Sequence, residues 1–176
     1  FFVKKYGYIV DTELLNISYL LFSDQSELAY VESKKEYNNF ADLIKNENML
    51  FSDFFEYQVL SLNWLKDKNI IYEDNHGYIH LRMETVRILE DFYNNDVICI
   101  SYYKNCDLLD ELITNKKIIF ESTLFSKPEQ DYLNYILNDR QFDNGPAIRN
   151  KYLHGNNTQR IEEHESDYYQ LLKIFA

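Results

Sequence analysis

Four glycines and two prolines in 176 residues leave this chain little material for tight turns. Short hairpins lean on glycine or Asn-Gly for their left-handed positions, so a fold of many short strands is disfavoured. Longer helices with polar connections suit the chain better. Core material is plentiful: 45% of the residues are hydrophobic, and 16 Tyr with 12 Phe exclude a disordered polypeptide. That supports one full core, or a core with a smaller satellite module.

Periodicity divides the chain. A strand is expected over Tyr6–Val10. Residues 11–50 then place Leu14, Leu15, Ile17, Leu20 and Leu21 at roughly helical spacing. Asp53 and Glu56 can cap a helix that runs to about Asp67 and carries Phe55, Val59, Leu62 and Leu65 on one face. Two β-rich runs, Asn69–Tyr72 and Tyr78–Leu81, flank Glu73–Gly77 and predict a hairpin. A helix from about Glu84 to Tyr93 follows. Helix, hairpin and helix make residues 51–95 resemble part of a winged helix. Four basic residues there (Lys66, Lys68, Arg82, Arg87) meet eight acids (Asp53, Glu56, Asp67, Glu73, Asp74, Glu84, Glu90, Asp91). That balance argues against a DNA reader and for a structural or protein-binding wing.

The C-terminal third carries sharper signals. Asp107–Ile113 is a short helix. Ser126-Lys127-Pro128-Glu129 starts another, with Ser126 as cap, Pro128 in the first turn and Glu129 closing a capping box. That helix carries Tyr132, Leu133, Tyr135, Ile136 and Leu137 and ends near Asn138-Asp139. After a polar loop through Asn144-Gly145, Pro146 is expected to open the next helix and Gly155 to end it. A turn at Asn156-Asn157-Thr158, with Thr158 as cap, leads to a last helix with Ile161, Tyr168, Leu172 and Phe175 on one face.

The formal net charge of −11 excludes a generally basic nucleic-acid surface. Charge is uneven, however. Residues 140–160 hold Arg140, Arg149, Lys151 and Arg160 against Asp143 alone. Within this island lies Arg149-Asn150-Lys151-Tyr152-Leu153-His154. On a helix, Asn150 and His154 share a face, while Arg149 stands about 140° around from His154, so the two can flank one groove. An imidazole can exchange a proton near neutral pH. A guanidinium offers a planar fork of donors to phosphate oxygens. Together they are sufficient in kind for metal-free cleavage of RNA, whose 2′-hydroxyl is an internal nucleophile that DNA lacks. The plainer reading is that Arg149 makes a salt bridge or cap and His154 only finishes a helix.

Arg149-Asn150-x-x-x-His154, followed by Gly155, resembles the Arg-polar-x-x-x-His signature of the HEPN family. Its setting is similar too: a capped helix, a polar loop, the motif helix and one more helix, over roughly Cys106–Ala176. The resemblance implies a small α-helical bundle whose motif helices border a cleft shared by two protomers. It implies metal-independent endoribonuclease activity in a bacterial defence or toxin–antitoxin setting, with Arg149 and His154 catalytic and Asn150 supporting. The alternative it carries is a catalytically inactive module for dimerisation or protein binding.

The expected organisation is therefore mainly α: an N-terminal helical segment (1–50), a winged-helix-like segment with a small hairpin (51–95) and a HEPN-like helical bundle (96–176). RNA is the expected substrate and a second copy the expected partner. No cofactor or metal is expected: His76, His80, Cys99 and Cys106 lack zinc-site spacing, and scattered glycines make no phosphate loop. Two cysteines form no disulfide framework and point to a reducing cytoplasm. No apolar run reaches the roughly 20 residues of a membrane span. The start at Phe1 and a helix still running at the end suggest a domain of a longer protein.

Overall fold

The structure, a computed structural model, describes residues 5–31, 37–103, 106–155 and 160–175. It is mainly α-helical with small antiparallel sheets, and it divides into two compact units, Phe1–Ser122 and Thr123–Ala176. The expected turn at Asn156-Asn157-Thr158, its Thr158 cap and the side chain of Phe175 lie outside the described residues.

In the first unit, β1 (Tyr6–Ile9) leads to α1 (Thr12–Phe22) and α2 (Phe40–Asn46). Both helices start as their sequences direct: the side chain of Asp11 accepts from the Leu14 amide at 3.0 Å, and that of Asn39 from the Asp42 amide at 2.8 Å. Leu14, Ile17 and Leu21 are buried, whereas Leu15 is half exposed. Next comes α3 (Glu56–Asp67), which starts later than expected. Phe51–Asp53 is instead a 3-10 turn, and the Asp53 carboxylate accepts from the Leu50 amide. The shift turns Phe55 off the expected apolar face. It is exposed and stacks on Tyr57, while Leu62 and Leu65 enter the core.

The hairpin pairs β2 (Ile71–Glu73) with β3 (Ile79–Leu81), with Tyr72 opposite His80. Asp74 shapes its turn by accepting from the amides of His76 and Tyr78. His80 donates to the same carboxylate, and that bond, with the two backbone bonds, holds Asp74 below the usual carboxylate range. Then follow α4 (Met83–Asn95), β4 (Ile98–Cys99), α5 (Asp107–Thr114) and β5 (Ile118–Glu121). A second sheet, which local periodicity did not predict, has the order β4-β1-β5, all antiparallel, with Gly7 opposite both Ile98 and Phe120. One core unites these elements, including Leu21, Phe40, Leu62, Ile79, Leu89 and Ile118.

With glycine scarce, other residues take the left-handed positions that end helices. Asn69 follows α3, Asp96 caps α4 and Lys116 follows α5, all at positive φ. Behind Asn69 and Lys116 the chain closes with paired bonds, Ile70 N–H to Leu65 and Lys117 N–H to Leu112, which satisfy the last carbonyls.

The second unit contains α6 (Lys127–Leu137), α7 (Ile148–Leu153) and α8 (Ile161–Phe175). At the start of α6 the Glu129 carboxylate accepts from the Ser126 amide at 2.6 Å and from its hydroxyl at 2.7 Å. The loop after α6 folds back on it: Phe142 meets Tyr135 edge-on, Gln141 donates to Asp131, and Asn134 donates to Gln141. Gly145 is required by that close approach, because a Cβ there would stand 2.1 Å from the Tyr135 carbonyl oxygen. Pro146 does not open the next helix. Ala147 follows it in the left-handed region, at φ 48°, and α7 begins one residue later. Among the described residues no helix is long and apolar enough to cross a membrane.

Candidate functional site

Ile148 anchors α7, being 1% exposed. At about 100° per residue, Lys151, Ile148 and Tyr152 share one sector of this short helix, and Arg149 and Leu153 point elsewhere. Burial follows this division only in part: Ile148 is buried and Lys151 half-buried, whereas Tyr152, Arg149, Leu153 and His154 are exposed. His154 forms the C-cap, its amide donating to the Asn150 carbonyl at 3.1 Å. Gly155 then turns at φ 69° and ends the helix.

Each polar residue of the motif segment has a distinct situation. The Asn150 amide donates to the Asp139 carboxylate, tying α7 to the loop that follows α6. Lys151 forms an ion pair with Asp167 of α8, at 3.2 and 3.4 Å to its two oxygens. The Tyr152 hydroxyl lies 2.7 Å from Nδ1 of His164 and 3.3 Å from Asp167, and the Tyr152 and His164 rings are in contact. Desolvation and then the charge of Asp167 raise the Tyr152 pKa, so the phenol keeps its proton at neutral pH and can donate it to Asp167. In the tautomer with its proton on Nδ1, His164 would donate to the phenol oxygen and leave the phenol proton for Asp167.

No hydrogen bond or ion pair occupies the side chain of Arg149 or His154 among the described residues. Nor do the side chains of Arg149, Asn150 and His154 bond to one another there. Within the single chain Arg149 and His154 stand on open surface. The Asp139–Asn150 bond does bring two chain segments together, with exposed Arg140 next to Asp139 and exposed Arg149 next to Asn150. Two members of the basic island are therefore offered to solvent near one point. The others are engaged, Lys151 with Asp167 and Arg160 with Glu163.

Asp167 is what reading the sequence missed. It is 7% exposed, yet it stands among Glu162, Glu163 and Glu165 as one more acid of a polar-looking helix. The local signal was slight: its position one residue before Tyr168, an aromatic of the apolar face. Ile161, Tyr168 and Leu172 do share one face, but that stripe is exposed, and Asp167 is the buried residue of α8.

Elsewhere, a groove of about 600 Å³ in the first unit is lined by Glu84, Arg87, Glu90, Asp91, Tyr103 and Asp107, among others. Burial and then the bond to Asp91 push the Tyr103 pKa well up, so this tyrosine is a neutral donor. Four acids and one arginine give the groove the wrong sign for phosphate. His76 lies in the hairpin turn and His80 in β3 beside it. Among the described residues no three His, Cys, Asp or Glu side chains converge as a metal site. No family model, curated protein or solved structure matches the chain.

Proposed function

We propose that the second unit is a HEPN-like module that cleaves RNA without a metal, with two copies of the chain placing their α7 helices at a shared cleft. One observation carries this reading. Along α7, Ile148, Asn150, Lys151 and Tyr152 hold the helix, while Arg149 and His154 remain exposed and uncommitted among the described residues. A salt-bridging or capping Arg149 would look different.

The chemistry follows from those two groups. An imidazole removes the 2′-hydroxyl proton, and the freed oxygen attacks the adjacent phosphorus. The bond from phosphorus to O5′ breaks, and the leaving oxygen receives a proton. The products are a 2′,3′-cyclic phosphate and a 5′-hydroxyl. Arg149 stabilises the charge that builds on the phosphoryl oxygens, and His154 moves the proton. A dimer supplies two imidazoles, one to accept and one to donate. Asn150 supports the pair by fixing α7 to Asp139. Arg140 adds a second cation for the RNA backbone.

The exposed stripe Ile161–Tyr168–Leu172, with Tyr152 and Leu153 on α7, supports a second copy as partner. The same stripe favours a second reading, a HEPN-like dimerisation or protein-binding module without turnover. We read segment 51–95 as winged-helix-like from its helix–hairpin–helix order, and three of its four cations are engaged: Lys66 with Glu73, Lys68 with Glu13, and Arg82 over the Tyr72 ring. A structural or protein-binding role fits it better than DNA contact. A reducing cytoplasm and a bacterial defence or toxin–antitoxin role complete the reading.

The test is incubation of the purified chain with RNA and with DNA of the same sequence in EDTA. Cutting of RNA alone, leaving 2′,3′-cyclic phosphate ends, is expected. A stable dimer that leaves RNA intact would select the second reading.

A further inference from the structure

We infer that Asp167 is the positioning residue of the motif helix: from α8 it grips Lys151 and Tyr152 and so fixes the direction in which α7 presents Arg149 and His154. Its consequence for catalysis rests on the ribonuclease reading above.

The inference starts from the weakness of α7 as a helix. It has six residues, and its N-cap, Ala147, is left-handed and provides no side-chain bond. Helices this short do not hold themselves in water, because nucleation costs more than so few bonds return. Their orientation must come from what their side chains touch. Ile148 gives α7 one apolar anchor, but an anchor alone permits rolling about the helix axis. Asn150 and Asp139 restrain one side. On the other side, both oxygens of Asp167 meet Lys151, and one also accepts from Tyr152. His164, one turn earlier on α8, closes the cluster at the Tyr152 hydroxyl.

Sector geometry turns that grip into a function. Lys151, Ile148 and Tyr152 span about 100° of the helix surface, and Arg149 begins the next sector. Holding the first sector against α8 keeps Arg149 turned outward. Releasing it lets α7 roll, and misplacement of a catalytic group by about 1 Å can cost on the order of 100-fold in rate. Asp167 is suited to the task because it is nearly buried: its charge is poorly solvated and both its cationic and phenolic donors are directed to it. Asparagine of the same shape cannot replace it. The charge that pairs with Lys151 is lost, and one oxygen becomes an NH2 group, which cannot accept from the Lys151 ammonium or from the Tyr152 O–H.

The test compares wild type, Asp167→Asn, Asp167→Glu and Arg149→Ala as full chains. Each is measured for RNA cleavage in EDTA and for amide hydrogen exchange resolved by segment. For Asp167→Asn, kcat is expected to fall on the order of 10- to 100-fold with KM changed less than threefold. Faster exchange should be confined to α7 and the facing turn of α8. Asp167→Glu, which keeps both acceptors, should recover part of each. Arg149→Ala should lose activity with exchange unchanged. The inference is overturned if Asp167→Asn leaves α7 exchange at the wild-type rate. It is equally overturned if exchange rises across α6 as well, which would make Asp167 a general stabiliser of the unit. A wild type that cuts no RNA removes the ribonuclease reading instead, and the exchange data then decide the grip on their own.

Discussion

Gln58 is fully buried, and each of its hydrogen-bonding groups has a partner. Its amide donates to the carbonyls of Glu27 at 2.6 Å and Tyr30 at 2.8 Å, and its oxygen accepts from the Phe55 amide at 2.9 Å. One side chain thus fastens a 3-10 turn to the start of α3. Gln58→Leu should lower the stability of the first unit by about 1–3 kcal/mol, because three part-buried backbone groups lose their partner. Urea unfolding followed by circular dichroism measures it, and a loss under about 0.5 kcal/mol would show that water replaces the side chain. The same scale shows what a sequence conceals. Arg149 and His154 stand out in the sequence because six consecutive residues hold both groups. Gln58 and Asp167 do not, since a glutamine in an amphipathic helix and one acid among four look like solvated surface. Their roles depend on carbonyls, a lysine and a tyrosine that only folding brings to them.

At the scale of elements, the ends of helices are governed by the shortage of glycine. Lys116 sits at φ 56° behind α5, a conformation that brings its Cβ close to the neighbouring carbonyl. Lys116→Gly should relieve this and stabilise the first unit by about 0.5–1 kcal/mol, net of the added freedom of the unfolded chain. Thermal unfolding reads this as a higher midpoint, and a lower midpoint would mean that the lysine side chain contributes more than its backbone costs. Elements with local signatures were readable: α6 from Ser126-Lys127-Pro128-Glu129, the hairpin from two β-rich runs around Gly77, and α3 from the spacing of Leu62 and Leu65. The β4-β1-β5 sheet was only partly readable. Its middle strand was expected, but β4 has two residues and β5 four, and both pair with a strand near the other end of the unit. Short strands carry too little pattern to announce a distant partner. The exposed stripe of α8 was visible as periodicity, which marks an apolar face without saying what covers it.

At the scale of the whole molecule, charge links distant parts of the first unit. Glu13 of α1 pairs with Lys68 at the end of α3 and, at 3.3 Å, with Lys117 before β5. The Lys68 bond, with Lys117, holds its carboxyl below the usual range, and Asp74 is lowered as well. A depressed carboxylate contributes stability above its ordinary value and loses it as pH falls through the folded one. Acid unfolding of wild type should therefore steepen below about pH 4, and Glu13→Gln should flatten that dependence. Identical acid profiles for the two proteins would show that Glu13 is not linked to folding. The second unit holds Arg149 and His154 on open surface, so the decisive measurement of the proposed role is functional. A mixed RNA pool is incubated in EDTA with wild type, Arg149→Ala and His154→Ala, all shown by circular dichroism to be equally folded. Cleavage by wild type, reduced on the order of 100-fold or more in each variant, is the expected result. Variants that cut as fast as wild type, or a folded dimeric wild type that cuts nothing, would contradict a ribonuclease built on Arg149 and His154.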